Sequence, residues 1–280
     1  LVRRAEALTG EPGLAYYAGL RTRVSWHGFL GFAAMTAGTV GEALELAERF
    51  SRTRTEAVSL VTRRDGAMVA LFLEEQVPLG ELREFLVTSL FIGLVVIADT
   101  LVGRPLTAGR LDMTHAEPPY FERFAAAVPW LAGVRFGQPA NRILFGAEAL
   151  SLPIVSADRA ATELAREQCE REMAALGDGA PVLGRVRALL HEGVSLSSPE
   201  VAKRLSMSPR TLKRRLAEQG TTFSELIDDA RRQRALVLLE DRRLTVEQIA
   251  AELGYSDAAN FTRAFRRWTG KSPGEARDGR

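Results

Sequence analysis

Ile249-Ala250-Ala251-Glu252-Leu253-Gly254-Tyr255-Ser256-Asp257-Ala258-Ala259-Asn260-Phe261-Thr262-Arg263-Ala264-Phe265 is the stretch that decides how the chain folds. Apolar residues at 249, 250 and 253, then at 261 and 265, recur at helical spacing on either side of a glycine. That pattern predicts two short helices joined by a tight turn. The pattern also stands earlier, as Val201-Ala202, Leu205, Met207-Ser208, Leu212 and Leu216. The offset is 48 residues up to Ser208 and Ser256 and 49 from Leu212 and Phe261 onward, so the second turn is one residue longer. The chain therefore carries two helix–turn–helix units, expected at about 198–219 and 246–268.

Spacing assigns the faces of these helices. Ala202, Leu205, Met207, Leu212 and Leu216 point into one small core, and Ala250, Leu253, Tyr255, Phe261 and Phe265 into a second. The second helix of the first unit then offers Arg210, Lys213 and Arg214 outward. That of the second unit offers Ala258, Ala259, Asn260, Arg263 and Arg266. Helices of this kind enter the major groove with their amino-terminal residues against base edges. Arginine bonds bidentately to guanine, asparagine to adenine, and alanine touches a thymine methyl. Singly, such residues are ordinary solvated side chains. Clustered on the exposed faces of two repeated units, they point to double-stranded DNA.

Helix starts are written in the sequence. Ser197-x-x-Glu200, Thr222-x-x-Glu225 and Thr245-x-x-Gln248 read as capping boxes. Ser208-Pro209 reads as a cap followed by proline at the first helical position. Gly254 supplies a residue that tolerates positive φ in the second turn, where the first unit has Ser206. A linking helix is expected over about 223–240, roughly 25 Å long at ~1.5 Å per residue. Leu226, Ile227, Ala230, Leu236 and Leu239 face inward on it. It holds the two readers about one DNA turn, ~34 Å, apart. Arg231, Arg234, Arg242, Arg266 and Lys271 are the expected phosphate contacts, which set affinity and salt dependence rather than sequence choice.

Read together, residues 183–277 resemble the DNA-binding domain of the AraC/XylS family of bacterial transcription regulators. The resemblance is carried most closely by the run from Ile249 through Trp268-Thr269-Gly270-Lys271-Ser272-Pro273. It implies that Arg210, Lys213 and Arg214, and Ala258, Ala259, Asn260 and Arg263, occupy base-contacting positions. Upstream, Leu8-Thr9-Gly10-Glu11-Pro12-Gly13-Leu14, Gly38-Thr39-Val40-Gly41-Glu42-Ala43-Leu44 and Leu152-Pro153 are similar to the arabinose-binding-type amino-terminal domain of regulators related to the ornithine-utilisation regulator. The resemblance implies a domain that senses a small effector or pairs subunits, and it identifies no effector-contact residue. Leucine at position 1, and the longer amino termini usual in that group, predict further residues upstream.

Residues 1–176 are expected to form one α+β domain, an antiparallel sheet with helices on one face. Helical candidates are 2–9, 14–20, 29–36, 41–50 and 120–126. Strand candidates are 57–62 and 67–73, around Arg63-Arg64-Asp65-Gly66, then 110–114, 134–136 and 142–145. A long apolar helix is expected at 82–101. Its most apolar run, 85–98, is too short for a membrane span and reads as a buried helix. Over 158–176, Ala161, Ala165, Cys169, Met173 and Leu176 make one helical stripe, which packs on its own domain or against its twin in a dimer. Gly177-Asp178-Gly179-Ala180-Pro181 marks a linker at 177–182, followed by an all-α domain at 183–280.

Composition agrees with this division. Residues 181–280 hold 19 Lys+Arg and 13 Asp+Glu, net +6, while residues 1–180 hold 18 and 22, net −4. A basic carboxyl-terminal third beside an acidic remainder fits nucleic-acid contact by one part only. Cys169 is the single cysteine, so no disulfide within the chain and no cysteine zinc cluster forms, which fits a reducing cytoplasm. His27, His115 and His191 share no metal-ligand spacing. No G-x-S-x-G occurs, and Gly270-Lys271-Ser272 lacks the earlier glycine of a phosphate-binding loop.

The expected function is that of an effector- or dimer-controlled transcription regulator. Its partners are promoter DNA, RNA polymerase, a second copy of the chain and a small-molecule effector, with no membrane, cofactor or metal. The alternatives are a DNA-repair enzyme that borrows the same DNA-binding domain, for which one helical cysteine is a poor nucleophile, and an adaptor whose helix–turn–helix units bind protein.

Overall fold

The computed structural model describes residues 2–106, 109–176, 182–192 and 196–278. The chain divides into two compact units. The first comprises Leu1–Thr62, Val69–Glu75 and Leu79–Asp178, and the second Arg63–Met68, Gln76–Pro78 and Gly179–Arg280.

The first unit is α+β. Its elements are α1 (Val2–Thr9), α2 (Leu14–Leu20), α3 (Gly28–Thr36), α4 (Val40–Phe50), β1 (Val58–Asp65), β2 (Met68–Glu75), α5 (Arg83–Val102), β3 (Arg110–Asp112), α6 (Phe121–Ala127), β4 (Val134–Arg135), β5 (Arg142–Gly146) and α7 (Arg159–Leu176). The strands form one sheet in the order β1-β2-β5-β3-β4. β3 and β5 are antiparallel, with Leu111 opposite Ile143, but β3 and β4 are parallel, with Leu111 opposite Val134. The expected antiparallel sheet is therefore mixed at one edge. α6 lies in the connection between β3 and β4, and a parallel neighbour needs a crossover of this kind. Arg63, Arg64 and Asp65, expected in the hairpin loop, extend β1, and Gly66 turns the chain at φ 54°.

α5 is the centre of this unit. Gly80–Val102 is 23 residues long and apolar enough to cross a membrane by length and composition. The length of its apolar run therefore excludes nothing, contrary to the sequence-based expectation. About a third of its most apolar window, 33%, is buried. Val87, Phe91 and Ile92 are buried, and glycines let α2 and α5 approach closely. A Cβ on Gly19 would stand 2.6 Å from Ile92 Cβ, and one on Gly93 would stand 2.8 Å from Thr22 Oγ1. Part of the α7 stripe packs on its own domain, while Leu176 at its end is exposed. Ala165 and Cys169 join Leu30, Ala33 and Leu46 of α3 and α4 in one cluster, with Met173 packed against it. Thr162 donates to Thr36 Oγ1 at 3.0 Å alongside. Burial pushes the Cys169 thiol up to about 11, so it is a small buried apolar group here.

The second unit is helical apart from the tip of the β1–β2 hairpin. Its helices are α8 (Val182–Glu192), α9 (Ser198–Arg204), α10 (Pro209–Glu218), α11 (Phe223–Leu238), α12 (Val246–Glu252), α13 (Ala258–Thr269) and α14 (Pro273–Asp278). α11 is the linking helix, 16 residues long. Val186 and Leu190 of α8 join Val201, Leu212, Leu216, Leu226 and Ala230 in one core cluster. The expected linker lies outside the described residues except for Val182, which begins α8. Arg63, also in this unit, is buried and donates from Nε and Nη2 to Gln233 Oε1 of α11 at 3.3 and 3.1 Å.

Candidate nucleic-acid interface

Two copies of one turn hold α10 and α13. In the first, Ser206 N–H donates to the Lys203 carbonyl at 3.0 Å and Met207 N–H to the Ala202 carbonyl at 2.9 Å. In the second, Gly254 N–H donates to Ala251 at 3.0 Å and Tyr255 N–H to Ala250 at 2.9 Å. This bonding closes a helix through a residue in the left-handed region. Gly254 takes φ 79° and Ser206 takes φ 56°. The expected inward residues are buried on both units, save Met207 and Tyr255, which are half-buried. Val201 and Ile249 are buried as deeply.

The caps fall where sequence places them. Thr222 and Thr245 each accept from the backbone N–H three residues on, while Glu225 and Gln248 reach back to the cap. At Ser197 the Glu200 carboxylate accepts from both the backbone N–H and the hydroxyl. Ser208 accepts from Thr211 N–H at 3.1 Å, with Pro209 opening α10. Ser272 and Glu275 form a further box at the start of α14, which the sequence reading missed. α13 is capped by Asp257 and α10 by Ser208, an offset of 49, so Ser256 is the extra residue of the second turn.

On α10, Arg210, Lys213 and Arg214 are exposed. Arg214 pairs with Glu218 one turn on, at 2.6 Å. On α13, Ala259, Arg263 and Arg266 are exposed, while Ala258 and Asn260 are half-buried. Asn260 N–H donates to Asp257 Oδ1 at 2.6 Å. Its side-chain Nδ2 donates to Asp257 Oδ2 at 2.6 Å and to Ser256 Oγ at 3.0 Å. Its Oδ1 accepts from Arg263 Nη2. The Asn260 backbone N–H holds the Asp257 carboxyl below the usual carboxylate range.

An open cleft of about 530 Å³ lies beside this network, with Asp228, Arg231, Tyr255, Asn260, Arg263 and Arg267 in its wall. The Arg231 guanidinium sits 5.2 Å from the Tyr255 ring centroid. Arg267 donates to Asp228 at 2.8 Å. Arg267 is exposed and four residues beyond Arg263, one helical turn along the same face, a spacing that the sequence reading passed over.

The phosphate candidates fare differently. Arg242 and Lys271 are exposed. Arg266 is exposed and stands 4.0 Å from Glu275. Arg231 is half-buried against Tyr255. Arg234 is paired with Glu252 and also donates to the Arg64 carbonyl at 3.3 Å, so it enters a phosphate contact only by giving up partners. Among the described residues, no three His, Cys, Asp or Glu side chains cluster as a metal site.

Both parts of the chain are similar to known proteins. Residues 1–154 match the model for the arabinose-binding domain of AraC transcription regulators, and residues 201–279 match a helix–turn–helix domain model. Over 280 residues the chain is 35% identical to the ornithine utilization regulator of Pseudomonas aeruginosa, an alignment covering 99% of this chain and 82% of that protein. It is 32% identical over 281 residues to an uncharacterized HTH-type transcriptional regulator of Mycobacterium tuberculosis, covering 98% and 81%. The crystal structure of transcriptional regulator CdpR from Pseudomonas aeruginosa covers 99% of this chain and 90% of its own, at 28% identity and a TM-score of 0.45.

Proposed function

The chain belongs to the AraC family of transcription regulators, joining that family's arabinose-binding-type amino-terminal domain to a helix–turn–helix domain, and from this we propose how it reads DNA. It is a sequence-specific DNA-binding regulator of transcription. α10 and α13 enter successive major grooves of one duplex. Arg210, Lys213 and Arg214 read bases from the first. Arg263, flanked by Ala258, Ala259 and Asn260, reads bases from the second. Arg231, Arg266 and Lys271 meet phosphates, and Arg234 joins them where Glu252 releases it.

The observation that carries this reading is the exposure of Arg210, Lys213 and Arg214, and of Ala259, Arg263 and Arg266, on two helices held by the same turn. The two faces differ in charge, so one chain reads an asymmetric site. Mobility shift against genomic fragments is the test. Salt-sensitive binding to a few fragments supports the reading, and equal binding to all of them overturns it.

Residues 1–176 supply control, by a small-molecule effector or by pairing two copies, and 183–280 supply reading. The protein works in the cytoplasm, beside RNA polymerase at promoters. The relatives are named as regulators, and nothing in them favours the DNA-repair alternative. A thermal-shift screen of amino acids, sugars and fatty acids tests the effector. A compound that binds only the folded state raises the melting temperature, and dimerisation is left as the control if none does.

A further inference from the structure

From the bonds around Asn260, we infer that this residue does not read a base itself but positions Arg263, which selects guanine. The inference rests on α13 being a base-reading helix. An asparagine amide carries two N–H donors and one carbonyl oxygen. Both donor directions are engaged inside the protein, by Asp257 Oδ2 at 2.6 Å and Ser256 Oγ at 3.0 Å. The ionised Asp257 accepts only, which fixes the amide nitrogen on its side and turns Oδ1 toward Arg263.

Bidentate adenine recognition needs one amide donor for N7 and the carbonyl oxygen for N6. Asn260 reaches it only by breaking a bond to the helix cap and releasing Arg263. The guanidinium has the opposite balance. Of its five N–H donors one goes to Asn260, and enough remain for guanine O6 and N7. An arginine held at one nitrogen also has less freedom to lose on binding.

The first reader lacks this device. Thr211 stands at the same place on α10, and its hydroxyl turns back to Ser208 at 2.8 Å. Arg214, the counterpart of Arg263, is paired forward with Glu218. Ser256, which takes the second amide donor, is the residue that the second turn has in addition. The longer turn thus completes a chain from the helix cap to the reading arginine.

The test selects binding sites for the full chain from a pool of randomised duplexes, with Arg263→Ala, Asn260→Ala and the double variant beside the unsubstituted protein. Melting curves confirm that each folds. Asn260→Thr, which copies the first reader, is the second variant if alanine at this place does not fold. Arg263→Ala should relax preference at one G·C pair by roughly 5- to 150-fold, the range for one bidentate contact. Asn260→Ala should relax the same pair by a smaller factor, and the double variant should be no worse than Arg263→Ala.

Loss of preference at a separate A·T pair, adding to that of Arg263→Ala, would overturn the inference and make Asn260 a reader. An equal loss on every sequence would overturn it in favour of a purely structural cap. If the unsubstituted chain enriched no sequence, the base-reading premise would fall first and the inference with it.

Discussion

Ser206 and Gly254 hold the same left-handed backbone at the same place in two copies of one turn, with φ 56° and 79°. Glycine takes this region freely, and an L side chain does not. Ser206→Gly should therefore stabilise the chain by about 1 kcal/mol, and Gly254→Ala should destabilise it by a similar or larger amount. Urea denaturation of the two variants gives the sign. A destabilised Ser206→Gly would mean that the Ser206 side chain contributes more than its strain.

Acid should weaken the second unit through its caps. Glu200 is held below the usual range by the Ser197 hydroxyl, Glu225 by the Thr222 backbone N–H, and Glu275 by that of Ser272. Asp241, bonded by the Arg243 guanidinium, is lowered to about 2. A carboxylate lowered on folding stabilises the native state above its unfolded value, and this is lost as pH falls through the folded value. The unfolded references are 4.5 for glutamate and 3.8 for aspartate. Melting temperature should thus hold steady above about pH 5 and fall between roughly 4.5 and 2. A melting temperature that rises across that range would contradict it.

Asp112 and Arg142 form an ion pair with almost no exposure, Nε to Oδ2 at 2.9 Å, and Arg110 closes on the same carboxylate. Removing one partner leaves a buried charge. Asp112→Ala should cost about 3–5 kcal/mol, and replacing Asp112 and Arg142 together by apolar residues of similar volume should cost clearly less. Denaturation midpoints of the single and double variants decide it. A double variant as damaged as the single would show that the pair itself stabilises the sheet.

Lys271 is exposed, and its charge adds to the groups that hold the Glu275 carboxyl below its usual range. Lys271→Ala should weaken DNA binding about equally on every sequence and lower the slope of log affinity against log salt by about 0.9. An unchanged slope would remove Lys271 from the phosphate contacts.

The second unit was legible because its signals are local. Capping boxes, Ser208-Pro209 and apolar spacing each act within one or two helical turns, and they placed α9 to α13 to within a few residues. α8 was passed over, although Val182, Leu183, Val186 and Leu190 carry the same periodicity. The left-handed Ser206 was not readable as such, since serine gives no sign of positive φ. The parallel β3–β4 pair was not readable either, because pairing depends on the path of 113–133 rather than on either strand. The candidate residues were legible as an outward face. What each does was not, because the Asn260 amide is engaged only once Asp257 has capped the helix.

The claim that two unlike readers act in successive grooves has one most direct measurement. The full chain is titrated against the duplex that it enriches from a random pool, and against the same duplex with five base pairs inserted between the two protected words. Two different words about 10–10.5 base pairs apart are expected, and the half-turn insertion should lower affinity at least tenfold, because the second reader then faces the wrong side of the helix. Equal affinity for the parent, the insertion and a scrambled duplex would contradict it.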